Sequence, residues 1–241
     1  MRLAVLSDIH GNLEAFKAVL ADADRLRIDA MASLGDNVGY GPDPEAVVRL
    51  LWAREIPSVA GNHELAVRNV RLRRWFNPAA RRSVEMTREA LSPEARDYLA
   101  GLPNFKVLWG LRFVHGFPPR SPTLYLFQMS MRGYRRGLRM APEPLIFVGH
   151  THELDLVAWN GSVPDFQGLR RGTVSLDSDL RYIVNAGSVG QPRDGDNRAK
   201  YVIWDDGDRT LEVRFVDYDV MKVVRKIRAA GLPEVNATRL L

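Results

Sequence analysis

The sequence of 241 residues has no cysteine. That absence removes disulfide staples and thiolate metal ligands together, so any metal must be held by nitrogen and oxygen donors. Long apolar runs are missing too: nothing approaches the roughly eighteen uninterrupted apolar residues of a membrane-spanning helix. The apolar start of "MRLAVLSDIHGN" is cut by Asp8, too early for the core of a signal peptide. A cytoplasmic protein with no membrane partner is therefore expected. No internal repeat and no low-complexity linker occurs. Histidine is scarce, with five in the whole chain, so where those five fall carries information.

What is present describes an ordinary globular protein: 46% hydrophobic and 26% charged residues, enough for a sizeable core. One domain spanning 1–241 is the default for this length. The formal charge is +5, and the sequence pI is about 9.7. Arginine concentrates in "RNVRLRRWFNPAARRSVEMTR" and "SMRGYRRGLRM". Such clusters attract anionic substrates, nucleic acid included, or form a solvated surface. No nucleic-acid motif accompanies the charge, and Trp75, Phe76 and Tyr134 read as local packing rather than base-stacking platforms.

The first half alternates strand, turn and helix. "RLAVLS" reads as a strand ending at Asp8, and Leu13 to Leu26 as a helix with Asn12 as its N-cap. "AMASLG" then leads to the helical "PEAVVRLLWARE", and "IPSVAG" to "NHELAVRN", a pattern of parallel βαβ units. Helices are expected over Arg81 to Leu91 and Pro93 to Leu102. After Pro103, short apolar runs separated by turn residues predict a second, largely antiparallel sheet facing the first. A helix is read from Val220 to Ala230, followed by a tail of uncertain order. The stretch at about 117–142 is a long loop beside a candidate site; it sets substrate choice or is a structural cover.

All five histidines follow predicted strands: His10 in "SDIHG", His63 in "AGNHE", His115 in "FVHG", and His150 with His152 in "GHTH". Asp36 in "SLGDN" is placed the same way. Ligands bind at the carboxyl ends of strands in open α/β sheets, so segments scattered in sequence would converge there. On an extended backbone, residues i and i+2 share a face, which makes Asp8 with His10, and His150 with His152, chelating pairs. Carboxylates with neutral imidazoles suit Mn, Fe, Zn or Ni better than Mg or Ca.

The series "DIH", "GD", "GNHE", "H" and "GHTH" resembles the signature of calcineurin-like metallophosphoesterases over residues 8 to 152. "NAGSVGQPRDGD" extends the likeness to residue 196, toward the small bacterial predicted-phosphodiesterase branch, with Ala186 where that branch more often has Pro. The resemblance implies an α/β fold, a four-layer α/β/β/α sandwich of two mixed β-sheets flanked by helices. It also implies two divalent transition-metal ions, manganese favoured. The first would be bound by Asp8, His10, Asp36 and His152, and the second by Asp36, Asn62, His115 and His150. Asp36 would bridge them. His63 is then the histidine left over, implied as the proton donor to the leaving oxygen. Glu64, where relatives often carry Asp, either orients and charge-stabilises that imidazole or is a first-turn carboxylate favoured by the helix dipole. Arg120 in "HGFPPRSP" and Arg193 in "GQPRDGD" are the candidates for substrate-phosphate contacts, or else pin their own loops.

The implied reaction is hydrolysis of a phosphodiester or phosphomonoester by direct attack of a metal-bridging hydroxide, with no covalent enzyme intermediate. Protein Ser/Thr phosphatases share "GDxVDRG" and "GNHE", but here the first reads "GDNVGYG" and lacks the Asp-Arg pair. A small or nucleotide-type phosphoester is therefore preferred, with nucleic acid behind it. The rival from another class is a non-catalytic interaction scaffold on the same fold, as in the retromer scaffold subunit. Such a protein should have lost ligands, and here every ligand position is filled.

Overall fold

The computed structural model describes residues 1–241. The chain opens with β1 (Arg2–Leu6), α1 (Leu13–Arg25), β2 (Ala30–Ser33), α2 (Pro44–Ala53) and α3 (Asn62–Arg68). A 3₁₀ segment, Val70–Trp75, leads to α4 (Pro78–Ala90) and α5 (Pro93–Ala100). Then come β3 (Phe105–Leu108), β4 (Leu111–Val114), a 3₁₀ turn at Leu126–Gln128, α6 (Met131–Met140) and β5 (Leu145–Val148). The remaining strands are β6 (Leu154–Trp159), β7 (Pro164–Gly168), β8 (Gly172–Ser175), β9 (Arg181–Ala186), β10 (Ala199–Asp205) and β11 (Thr210–Val216). Two helices, α7 (Val220–Ala229) and α8 (Glu234–Thr238), close the chain.

Alternation along the strands builds the layers. One sheet has the order β2-β1-β10-β11-β8 and the other β3-β4-β5-β9-β6-β7. Leu3 and Val5 of β1 and Leu145 and Phe147 of β5 meet in the core between the sheets. Ala4 and Leu6 face the other way, onto Phe16, Val19 and Leu20 of α1. Ile146 and Val148 likewise turn outward, onto Tyr134 and Leu138 of α6. Both faces of β1 and β5 are thus covered, which is why their sequences run apolar without a polar alternate. Two mixed sheets flanked by helices result, as the family resemblance implied.

The partition of strands differs from the sequence expectation. The N-terminal half supplies only β1 and β2, which pair in parallel, and the rest of that sheet comes from C-terminal strands paired antiparallel. The second sheet holds its own parallel set, β4-β5-β9. "IPSVAG" forms no strand. Ser58 makes a single parallel bridge to Ser33, because Pro57 has no N–H to extend the ladder. Within 117–142, "MRGYRRGLRM" is helical as α6, capped by Ser130, whose side chain accepts the Gly133 N–H. The C-terminal tail is ordered: α8 buries Asn236 and Ala237.

One buried ion cluster ties α1 to the outer face of the first sheet. Asp22 accepts hydrogen bonds from the Tyr201 hydroxyl (2.7 Å) and from both Nε (3.1 Å) and Nη2 (3.0 Å) of Arg214. Burial opposes the charge on Asp22, but Arg214 and Tyr201 outweigh it and hold the carboxyl below its usual range. A carboxylate whose folded-state pKa is depressed stabilises the fold above its unfolded value and loses that contribution as pH falls through the folded one. Asp22→Asn is expected to lower the unfolding free energy at neutral pH by about 1–3 kcal/mol. In urea titrations the gap from wild type should narrow progressively below about pH 4. A gap of the same size in acid would sink the assignment.

Candidate metal centre

Five loops meet where parallel strands end. Asp8 follows β1, Asp36 follows β2, His115 follows β4, and His150 and His152 follow β5. The segment after β9 closes the ring: Val189 and Gly190 donate backbone N–H bonds to Ser7 and Asp8. The first two loops continue the pairing of their strands, through Asp8 N–H to the Gly35 carbonyl (3.1 Å) and His10 N–H to that of Asp36 (2.8 Å). Asn62 and His63 come instead from the start of α3, not from a strand end.

The backbone at the cluster is not extended. Asp8, His10, Asp36, His150 and His152 all have positive φ, at 54°, 51°, 49°, 71° and 66°. Left-handed backbone costs a non-glycine residue of order 1–3 kcal/mol and gathers at functional sites. The i, i+2 pairs do converge, but through these turns rather than through strand alternation. Two glycines make the crowding feasible. A Cβ at Gly61 would lie 2.1 Å from Asp36 Oδ1, and one at Gly39 (φ 134°) would lie 2.1 Å from His63 Nδ1.

Two groups of donor atoms form. Asp8, His10 and His152 make one, with Asp8 Oδ1 3.5 Å from His10 Nε2 and 3.3 Å from His152 Nε2. Asp36, His115 and His150 make the other, with Asp36 Oδ2 3.3 Å from His115 Nε2. Asp36 Oδ2 also lies 3.9 Å from His10 Nε2, so it stands between the groups. His63 Nε2 is 3.9 Å from the same oxygen and completes a third grouping with His10 and Asp36.

Hydrogen bonds fix which nitrogens are bare. Backbone carbonyls can only accept, so contacts of Val38 O with His10 Nδ1 (3.2 Å), Leu34 O with His115 Nδ1 (2.9 Å) and Gln191 O with His152 Nδ1 place the proton on Nδ1 in each ring. The Nε2 atoms of His10 and His152 then face each other at 3.1 Å, and in the neutral rings both would present a lone pair. His150 uses Nε2 on the Thr123 carbonyl, which turns a bare Nδ1 toward His115 Nε2 at 3.1 Å. Asp8 Oδ1 and Asn62 Oδ1 are buried without a hydrogen-bond partner. Opposed lone pairs on buried nitrogen and oxygen repel unless a cation sits among them. Ligand atoms about 2.0–2.2 Å from one ion are separated by distances of this order. The residues present therefore fit divalent metal.

Protonation agrees with that fit. Burial disfavours charge on both carboxyls, yet neighbouring histidines outweigh it and hold Asp8 and Asp36 well below the usual carboxylate range. Burial pushes His150 and His63 down to about 3. His115 differs: burial pulls it down, but Asp36 and Asp8 push it up to about 9, so without a cation it carries a proton aimed at Asp36. A metal would displace that proton.

The remaining candidates are placed as follows. Glu64 is spent on backbone: it accepts N–H bonds from Asp36 (2.8 Å), Asn37 (2.7 Å) and Gly61 (2.8 Å), and no hydrogen bond joins it to His63. It clamps the Asp36 turn to the start of α3. The Asp36 Oδ1 atom in turn accepts the His63 N–H at 2.8 Å. Arg193 lines an open cleft of about 750 Å³ beside the cluster, and Arg120 is not among the residues lining it. Sequence reasoning missed the aromatic walls. Tyr40 stands against the rings of His10 (4.5 Å) and His63 (4.6 Å), and Tyr125 stacks on His150 at 3.6 Å. Phe76 meets the His63 ring edge-on at 5.0 Å. Tyr40 sits in "GDNVGYG", where its nearness to Asp36 was the available signal.

The model of the calcineurin-like phosphoesterase superfamily domain matches residues 1–208. An uncharacterized protein of Methanocaldococcus jannaschii is 36% identical over 247 residues, covering 99% of this chain and 96% of that one. A metallophosphoesterase from Sphaerobacter thermophilus has a crystal structure that superposes with a TM-score of 0.85 at 37% identity, over 100% of this chain and 98% of that one. A hypothetical protein from Pyrococcus horikoshii superposes at 0.79 with 20% identity, over 99% and 97% of the two chains, a likeness of fold. No helix of this chain is long and apolar enough to cross a membrane.

Proposed function

The chain belongs to the calcineurin-like phosphoesterase superfamily, and on that premise we propose that it hydrolyses a small, nucleotide-type phosphoester at a two-metal centre built by Asp8, His10, Asp36, Asn62, His115, His150 and His152. Membership makes it a metal-dependent phosphoric ester hydrolase. One observation carries it: the Nε2 atoms of His10 and His152, whose Nδ1 atoms meet backbone carbonyls, face each other at 3.1 Å among buried carboxylate oxygens.

When bound, a metal pair supplies positive charge for phosphoryl oxygens and a water-derived nucleophile at neutral pH. The protein's own contribution is to hold the donors. Asp8 and His152 would hold one ion with His10, while Asn62, His115 and His150 would hold the other. Asp36 would serve both, and Glu64 fixes the turn that aims it. Four imidazoles and two carboxylates favour Mn, Fe, Zn or Ni over Mg or Ca, with manganese the first choice. His63 donates a proton to the leaving oxygen. Tyr40 stays protonated, because burial pushes it to about 12, so its hydroxyl remains a donor at the wall of the cleft. The 117–142 segment enters through Thr123 and Tyr125, which contact His150 and so make that insertion a candidate determinant of substrate.

The test is direct. Protein stripped with a chelator and reloaded with Mn²⁺ should cleave a generic aryl phosphodiester and at least one nucleotide in a phosphoester screen. Stripped protein should be inert. Absence of cleavage with Mn, Fe, Zn and Ni alike would overturn the assignment and favour a scaffold role.

A further inference from the structure

The cleft beside the metal centre carries a feature the centre does not need. Arg239, just past the end of α8, lines it together with Arg193, Tyr40 and Tyr125. It comes from beyond the segment that the family model matches.

Arg239 is held there by buried packing. Asn236, 1% exposed, donates from Nδ2 to the Tyr40 carbonyl (2.9 Å) and to Ser83 Oγ (2.9 Å). Asn197 donates to the Leu240 carbonyl at 3.2 Å, so the chain is pinned on both sides of Arg239. Leu240 and Ala237 are buried against Val224 and Ile227 of α7. Through Tyr40 this terminal segment is one residue removed from the rings of His10 and His63.

Neither arginine at the cleft is neutralised. The nearby acids are taken: Asp196 pairs with Arg198, and Asp194 with Lys200 at 2.8 Å. Arg193 and Arg239 are exposed and share the cleft with Asp196 and Leu241, and no side-chain carboxylate lies within salt-bridge distance of either guanidinium. Two free guanidiniums in one polar cleft are a standing site for anionic oxygen, and their forked donors match phosphate. Arg193 lines the cleft beside Pro192, and its wall includes Tyr40 and Tyr125, which stand against the rings of His10, His63 and His150. A volume of about 750 Å³ far exceeds one phosphate and suits a nucleotide-sized molecule.

We infer that Arg239 and Arg193 bind a second, non-reacting phosphate, so that the substrate is an organic diphosphate or polyphosphate such as a nucleoside diphosphate. This rests on the phosphoesterase reading above. In the reaction the oxygen of water bonds to the scissile phosphorus and the bridging P–O bond breaks. Its electron pair goes to the leaving phosphate oxygen, and one proton of the water passes to solvent.

The test compares wild type, Arg239→Ala and Arg239→Lys, each loaded with Mn²⁺ and each checked for an unchanged thermal midpoint. The readout is the ratio of kcat/KM for a nucleoside diphosphate to kcat/KM for an aryl phosphodiester. Losing one charged hydrogen-bonding partner should lower that ratio about 10–100-fold in Arg239→Ala. Arg239→Lys should fall between, since it keeps the charge and loses the fork. Binding of inorganic pyrophosphate to the metal-free protein by calorimetry should weaken in parallel. A ratio and a pyrophosphate affinity that both stay at the wild-type value refute the second-phosphate site. Weakened pyrophosphate binding in a protein that cleaves no phosphoester would retain the anion site and refute the phosphoesterase reading instead.

Discussion

Asp36→Asn is expected to abolish turnover and to leave the protein short of its full complement of metal. Asp36 Oδ2 approaches histidines of both donor groups, at 3.3 Å from His115 and 3.9 Å from His10; Asp8 Oδ1 also reaches both but lies closer to its own group, at 3.3 Å from His152 and 3.5 Å from His10 against 4.0 Å from His115. Asparagine has the same size and tolerates left-handed backbone, so the turn at φ 49° should survive. The Glu64 clamp also survives, because it holds the backbone N–H of residue 36 and not its side chain. What changes is charge. The amide brings no negative charge and turns either a weak oxygen donor or an NH₂ toward the cluster.

Loss of an outer partner of a metal ligand typically costs about 10–100-fold in affinity or activity, and loss of a shared ligand should exceed that. Metal analysis after dialysis against Mn²⁺ should find fewer than two ions per chain, with kcat/KM down by about three orders of magnitude or more. Circular dichroism should match wild type. Two tightly held ions in a folded Asp36→Asn protein would remove the bridging role and with it the proposed division of ligands. The complementary charge argument concerns His115. The carboxylates that raise it to about 9 would hold a divalent ion in place of its proton, so metal binding near neutral pH should release protons that calorimetry in buffers of different ionisation enthalpy can count.

The residue types of this centre were legible in the sequence because each sits in a short string whose chemistry has no packing rationale. "GHTH" places polar side chains where the apolar strand β5 stops, and "GNHE" places them at the start of α3. Parallel pairing brings the carboxyl ends of β1 and β2 together in one sheet and those of β4 and β5 together in the other, and the loops that follow them meet between the two. The sheet partners were harder. β10 reaches β1 across most of the chain, and no local pattern encodes that pairing. β7 begins at Pro164 and is otherwise exposed, so it has no alternation to read. α6 carries Gly133 and Gly137, which depress helix propensity, and its four arginines mask a buried face of Tyr134 and Leu138. α8 is five residues long and is held mainly by one asparagine, so its arrival at the cleft left no sequence signature.

Backbone strain was the other hidden quantity. An i, i+2 spacing suggested extended chelating pairs, yet Asp8, His10, His150 and His152 all adopt left-handed turns. Asparagine, aspartate and histidine are the side-chain-bearing residues most enriched in that region, although Arg27, Glu55, Trp109 and Arg209 also adopt it here. The residue types proposed as metal ligands are thus among those that tolerate the turns which deliver them, so ligand chemistry and backbone conformation favour the same residues.

His63→Ala is expected to keep both metals and lose the ability to expel a poor leaving group. The ring is 1% exposed, bounded by Tyr40, His10 and Phe76, and its Nδ1 is buried without a partner. Burial holds it near 3, so in the free protein it is neutral at neutral pH. A general acid must therefore gain its proton in the substrate complex. An entering phosphate anion offsets the desolvation that depresses the ring and raises its pKa toward the range where donation is effective. Removal of such an acid costs about 10²–10⁴-fold when the leaving alkoxide is basic and little when it is a nitrophenolate or a phosphate. A series of alkyl and aryl phosphoesters should therefore give a rate against leaving-group pKa that is steeper for His63→Ala than for wild type. The basic limb of the kcat profile should also be lost in the variant, since a group whose charged form is required gives activity that falls as pH rises through its pKa in the complex. Equal losses for every leaving group, or metal content that falls with the substitution, would make His63 a ligand or a packing residue instead, as its 3.9 Å approach to Asp36 Oδ2 allows.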